Sequence, residues 1–240
     1  MRSIALAAAL LAGTALTGAH ALTISASTTA PLPVPGTATP IVLQGFAVPA
    51  SNPVIGTGYT LNFFVPANQG IVRGALGGQY AIPIAGTSGG GPLYLTGDFG
   101  SALSASAGDA GNYLSTGVGT ITLAFGSAQT AFLMLWGSID DYNTAEFFNG
   151  ATLVQSVGGT EVAALVGASP NGFQGFGGSA YVLFSGAAFD RIAFSSTTNS
   201  FEFAALIGST QPFAVPVPAG LALFGMGLLG LGLLRGRRTA

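Results

Sequence analysis

Short apolar runs recur along the middle of the chain, each closed by Gly, Pro, Asn or a Ser-Gly pair. Residues 41–48, 59–65, 71–76, 79–84 and 92–95 make a first set. Residues 118–125, 130–136, 144–148, 152–157 and 161–166 follow, and 181–184, 189–194 and 201–207 close the series. Runs at roughly 8–12-residue spacing with turn residues between them predict an all-β sandwich or barrel. Only the two chain ends have an apolar pattern long enough for a helix.

Single runs can be read further. In Thr120-Ile121-Thr122-Leu123-Ala124-Phe125 the apolar residues alternate, which predicts one buried face and one wet face. Phe201, Phe203, Ala205 and Ile207 alternate likewise and put Glu202 on the opposite face. Residues 131–136 are apolar throughout, as a central strand covered on both faces would be. Residues 22–40, rich in Thr, Ala and Pro, read as an extended lead-in to a domain at 41–210, and 86–92 with its three consecutive glycines as a loop.

The two ends are of another kind. Met1-Arg2 precedes an Ala/Leu run, and Ala19-His20-Ala21 is an A-x-A cleavage site, so 1–21 predict a secretory leader cut by signal peptidase. At the other end, 220–234 is an uncharged stretch of 15 residues followed by Arg235, Arg237 and Arg238. As a helix it is roughly 22 Å long, short against a hydrocarbon core of about 30 Å. Its summed insertion preference is a few kcal/mol, about 0.3–0.6 for each Leu or Phe. The arginines should stay cytoplasmic, which leaves everything before the span outside. A buried core helix would be equally short, but arginines directly after it argue for the membrane. Within the span the glycines, at 220, 225, 227, 230 and 232, are never four apart, so the span itself has no close-packing dimer pattern.

Directly before the span stand Val215, Pro216, Val217, Pro218 and Ala219. A Val-Pro-x-Pro-Ala box, a short Leu/Gly span and a terminal Arg cluster, together 211–240, resemble the PEP-CTERM sorting signal. That resemblance implies recognition and cleavage near the box by an exosortase, a membrane-embedded cysteine protease. It also implies a bacterium with an outer membrane that makes exopolysaccharide. The protein would pass through an inner-membrane intermediate to the cell surface or the extracellular matrix, as in a biofilm. The box commonly carries Glu between its prolines, where this chain has Val217. A second stretch, from Trp136-Gly137-Ser138 through Asp140 to Tyr142-Asn143-Thr144, is similar to a segment of extracellular domains in exosortase-sorted surface proteins. The later 189–192 and 200–203 are similar to their closing strands. This likeness implies a jelly-roll sandwich and hands over no catalytic residues.

Composition then narrows the chemistry. Charged residues make up 6% of the chain, against about 25% in an ordinary soluble domain. Half the chain is hydrophobic and Gly reaches 38 residues, which suits an extracellular β protein and is wrong for disorder. Between the leader and the box, Arg73 and Arg191 face eight acids, a formal charge near −6 that gives nucleic acid nothing to hold. There is no Cys, hence no disulfide. His20 leaves with the leader and Lys is absent. A Ser-His-Asp triad, a Ser-Lys pair, a His/Cys zinc site and a P-loop all fail on inventory.

Carboxylates remain. A glycosidase needs two of them about 5 Å or about 6.5–9.5 Å apart, and sequence places no two together. Asp140, Asp141 and Asn143 suit a polar turn whose side chains bond local backbone, or a calcium ion, which takes six to eight oxygens. The EF-hand spacing fails at Ala145 and Glu146. Trp136 and Tyr142 would make a sugar-stacking platform, although a large aromatic ending an apolar strand is more often core. Phe173 and Phe176, in a Gly-rich loop, are better placed as exposed rings. Arg191 reads as a structural partner of Glu202 on a neighbouring strand.

The expectation is therefore a single β-sandwich of jelly-roll type, with about ten to fourteen strands, between an N-terminal leader and a short C-terminal transmembrane sorting helix. It would be a structural or adhesive component of the envelope or exopolysaccharide matrix, without enzymatic activity or an obligatory cofactor. The alternatives are a carbohydrate-binding module, with calcium or without, and then a carboxylate glycosidase.

Overall fold

The computed structural model describes residues 21–29, 32, 38–41, 43, 52–84, 94–95, 102–103 and 112–210. Ala19, the sorting box Val215 to Ala219, the span and its arginines, and most of the expected strand at 41–48, lie outside these residues. Among the described residues no helix is long and apolar enough to cross a membrane.

The strands are β1 (Thr23–Ser27), β2 (Ala38–Pro40), β3 (Val54–Gly56), β4 (Tyr59–Phe64), β5 (Gly70–Val72), β6 (Tyr94–Leu95), β7 (Ala102–Leu103), β8 (Tyr113–Ser115), β9 (Gly119–Trp136), β10 (Asn143–Asn149) and β11 (Thr152–Gly158). A helix, α1 (Gly159–Val166), precedes β12 (Ala180–Ser196) and β13 (Glu202–Ser209). All but β6 and β7 join one antiparallel sheet of 11 strands, so the fold is all-β.

Two long strands, β9 and β12, pair along both of their halves and carry the others. The first half of β9 lies between β4 and the end of β12, which continues to β10 and β11. The second half lies between β13 and the start of β12, which continues to β1. Extended backbone would hold Phe125 and Phe132 of β9 about 23 Å apart, yet their ring centroids are 6.1 Å apart. The strand therefore bends back between them. Phe132 also meets Phe184 at 6.5 Å and Phe194 at 6.1 Å, from the two halves of β12. The sheet thus folds into two leaves that face each other across a phenylalanine core.

The bend requires one extra residue. Ile121, Leu123 and Phe125 face this core, and so do Phe132, Met134 and Trp136, which have the opposite parity. The β9–β12 register shifts twice across the bend, through Phe189 opposite Gln129, for a net step of one residue between Arg191 opposite Ala124 and Ser185 opposite Ala131. A bulge that lets one residue go unmatched is the local device for such a turn. Leu133 and Leu135 point the other way into a second cluster with Tyr181, Leu183 and Ile207. The uniformly apolar 131–136 is thus covered on both faces, as expected.

Several expectations need correction. The runs at 118–125 and 130–136 are one strand, as are 181–184 and 189–194, because the intervening Gly-containing segments are bends within strands and not loops. Residues 161–166 form α1, not a strand. Glu161, the two alanines and Leu165 favour a helix, and Gly167 ends it with a left-handed φ of 66°, as a C-terminal glycine does. Residues 79–84 hold no ladder; a tight turn joins Leu76 and Tyr80 instead. The lead-in contributes β1 to the sheet, and Leu22 ahead of it is buried, its backbone N–H donating to Gln155 Oε1 at 2.7 Å.

If the bend rests on the phenylalanine core, Phe132→Ala should cost about 3–5 kcal/mol. Phe173→Ala, at a ring 57% exposed, should stay within about 0.5 kcal/mol. Urea midpoints of the two variants check this, and equal losses would contradict the folded-over sheet.

Candidate functional site

The candidate site lies where β9 leaves the core. After Trp136, the Gly137 N–H donates to the Glu202 carbonyl at 2.8 Å, which keeps the chain on the start of β13. Ser138 then takes a φ of 39°, a left-handed conformation that costs a non-glycine residue on the order of 1–3 kcal/mol. Its N–H is met by Ser179 Oγ at 3.4 Å, and the next N–H, that of Ile139, reaches the Gly178 carbonyl at 2.8 Å. This twist turns the chain out of the sheet and sets Asp140 opposite Asn171. The Asn143 N–H closes the turn on the Asp140 carbonyl at 3.4 Å. Gly172 lies so close that a Cβ there would stand 2.4 Å from Asp140 Oδ1, and its φ of 67° also favours glycine.

These segments wall a cleft of about 260 Å³. Asp140 and Tyr142 come from the turn after β9, Glu202 and Ser200 from the start of β13. Gln79 and Tyr80 come from the turn at 76–80, and Asn171 and Gln174 from the loop after α1. Acids, amides and hydroxyls dominate the lining, and none of its residues is basic.

Two carboxyl groups share the cleft. Glu202 is buried, and burial raises its pKa to about 7. Hydrogen bonds from the Ser200 hydroxyl and the Ala81 amide pull it down, and the Asp140 charge pushes it up. The Ala81 N–H reaches Oε1 at 2.9 Å and the Ser200 hydroxyl donates to the same oxygen. Oε2 is buried without a protein partner, as is Ser138 Oγ. Asp140 is raised to about 6, first by its own burial; the Tyr142 hydroxyl lowers it and the Asp141 charge raises it. That hydroxyl has one proton to give, and the Asn199 carbonyl at 3.3 Å competes for it.

Beside the cleft, across Asn171, is a second hollow of about 270 Å³. Phe173 and Phe176 line it, 57% and 38% exposed. The Phe173 ring fits over Gly175, where a Cβ would come within 2.5 Å of the ring, so a side chain there would displace it.

The residues singled out from sequence separate here. Asp140 and Tyr142 enter the cleft, whereas Asp141 points to solvent. Asn143 is buried and its Nδ2 donates to the Ser200 carbonyl at 3.4 Å, a structural contact. The local turn is therefore present, and the three side chains do not converge on one point. Among the described residues no three acidic, His or Cys side chains gather around a common point for a metal ion. Trp136 is fully buried, its ring 4.4 Å from that of Phe201, and is no sugar platform. Arg191 does not pair with Glu202; its guanidinium lies 3.8 Å over the Phe148 ring. Glu202 in turn is not on a wet face, because the segment at 81–84 covers it and its Ala81 amide bonds the carboxyl.

Glu202, Ser138, Gln79, Asn171 and Gln174 were not foreseen as one site. Glu202 alone carried a signal: a single acid in a run otherwise made of Phe and Ala, ahead of Leu206 and Ile207. Comparison of the chain with protein-family models, with curated proteins and with solved structures finds no match.

With the Glu202 pKa raised from 4.5 to about 7, the folded chain binds more protons than the unfolded chain between those values. Its contribution to stability is therefore full below about pH 4.5 and is lost as pH rises through about 7. At about 1.4 kcal/mol per unit, the loss is at most about 3–4 kcal/mol. Thermal unfolding should show a lower midpoint at about pH 8 than at about pH 5. Glu202→Gln, which keeps an acceptor for Ala81 and Ser200, should flatten that difference; an unchanged pH dependence would show that Glu202 is not the buried acid responsible.

Proposed function

We propose that the chain is an exported, exosortase-processed surface protein of the cell envelope or exopolysaccharide matrix, and that its folded part holds a saccharide in this cleft. The single observation behind the binding role is a hollow of amides, hydroxyls and carboxyls directly beside two exposed phenylalanine rings. A sugar presents hydroxyls that both donate and accept, and side-chain amides, Tyr and Ser match them. Its apolar ring faces suit flat aromatic rings, which offer large contact area at low entropic cost. The two facing leaves are consistent with a jelly-roll sandwich as the scaffold. Export and sorting rest on the leader, the Val-Pro-Val-Pro-Ala box and the arginines, with signal peptidase, the membrane and an exosortase as partners.

A second reading rests on the juxtaposition of Asp140 and Glu202. Two carboxyl groups in one cleft are the inventory of glycoside hydrolysis. Reducing ends released from a polysaccharide by the native chain and not by Glu202→Gln would establish it.

Glycan-array binding by the purified protein tests the first reading. Phe173→Ala combined with Phe176→Ala should weaken binding by roughly 10-fold or more, given about 1–3 kcal/mol for a stacked ring, without altering the unfolding midpoint. Binding untouched by that double variant would exclude the cleft and its rings. Mass spectrometry of the surface-bound protein tests the sorting: peptides covering 221–234 should be missing, and their presence would rule out cleavage at the box.

A further inference from the structure

We propose that the cleft selects saccharides bearing a protonated amine, with the ammonium seated at the free oxygen of Glu202 beside Asp140. This rests on the saccharide reading above and adds the ligand's charge to it.

The cleft lacks a positive charge of its own. Asp140 and Glu202 line it, and no lining residue is basic. A uronic acid would bring a third negative charge into this space with nothing to offset it. A neutral sugar brings no charge, and would leave the two carboxyl groups to repel each other.

The hydrogen-bonding inventory points the same way. Glu202 Oε1 already accepts from Ala81 and Ser200, whereas Oε2 is buried and has no protein partner. Ser138 Oγ, on the same wall, is also without one. A buried acceptor without a donor costs about 1–3 kcal/mol, more when charged. Such a site is completed by a ligand rich in donors. A sugar hydroxyl brings one proton; an ammonium brings three donors and a charge, and bonds to a charged partner are the stronger kind.

Titration supports this geometry. Every ionisable group facing Glu202 is acidic or phenolic: Asp140 and Tyr142 from the turn after β9, Tyr80 from the turn at 76–80, and Tyr113 from β8. With no cation among them, burial holds both carboxyl pKa values up, at about 7 for Glu202 and about 6 for Asp140. An arriving ammonium favours the ionised forms, so protons leave the cleft as it binds. Affinity should then fall as pH drops through about 7 to 6 and the carboxyl groups become neutral.

Calorimetric titration of the purified protein at about pH 6.5, with EDTA present, tests the proposal. At that pH the amine of an amino sugar, less basic than that of lysine, is still largely protonated, and the cleft carboxyls have protons to lose. The probes are a glucosamine oligomer with free amines, its N-acetylated counterpart and an uncharged glucan oligomer. The free-amine oligomer should bind at least about 10-fold more tightly than the other two, and release protons in paired buffers of different ionisation enthalpy. Glu202→Gln should bring the ratio near one, and Asp140→Asn provides the same comparison should the first variant fail to fold. Equal binding of all three oligomers would overturn the amine preference and leave the saccharide cleft standing. No binding of any oligomer would remove both. A preference that survives both substitutions would assign it to the net negative charge of the whole chain, against the proposal. Binding that appears only when calcium replaces EDTA would likewise overturn it.

Discussion

Everything in the described structure depends on the pairing of β9 with β12 through their bends. The two strands stay hydrogen-bonded on either side of the bend, and a step of one residue between them keeps apolar side chains pointing inward in both halves. Phe132 then touches rings from both leaves, and so fixes how far the sheet folds. The cleft is a consequence of this arrangement. Trp136 and Phe203 are opposite each other where β9 meets β13, so the residues that follow one and precede the other, Gly137 and Glu202, must meet at the edge of the core. The chain leaves the sheet there because it can go no further inward.

Glu202 is where folding and function diverge. A carboxyl group taken out of water is costly unless its oxygens are paired, and here one is paired and one is not. Ser138 adds a left-handed backbone next to it. Unfavourable local choices of this kind concentrate at functional sites, with the remainder of the fold compensating for them. The compensation is visible next to it, in the rings of Trp136, Phe201 and Phe203, all fully buried.

The sequence was legible where one strand faces one environment. The alternation at 120–125 and the unbroken apolar run at 131–136 gave burial correctly, because side-chain direction follows directly from a period of two. It was illegible where an element's meaning depends on distant partners. Gly126 and Gly186 look like turn residues in isolation, and only their pairing shows them to be parts of bent strands. Two turns of helix, α1, are too short to show a period. Asp140 and Tyr142 stood out because polar residues interrupt apolar ones there. Their partner Glu202 is some sixty positions away, and the residues between include the whole of β10, β11, α1 and β12. Trp136 misleads for the opposite reason: its place at a strand end is compatible with a platform, and only its contact with Phe201 shows that it is enclosed.

The hydrogen bond from Leu22 to Gln155 has one further implication. The chain has no lysine, so a protein cut after Ala21 has one primary amine, at Leu22, and that nitrogen is held against β11 at the margin of the sheet. Reagents that fix proteins by their amines would find almost nothing to react with on such a surface. A protein of this kind would pass through amine-directed immobilisation or staining nearly unmarked, and the single label it did accept would report the loosening of β1.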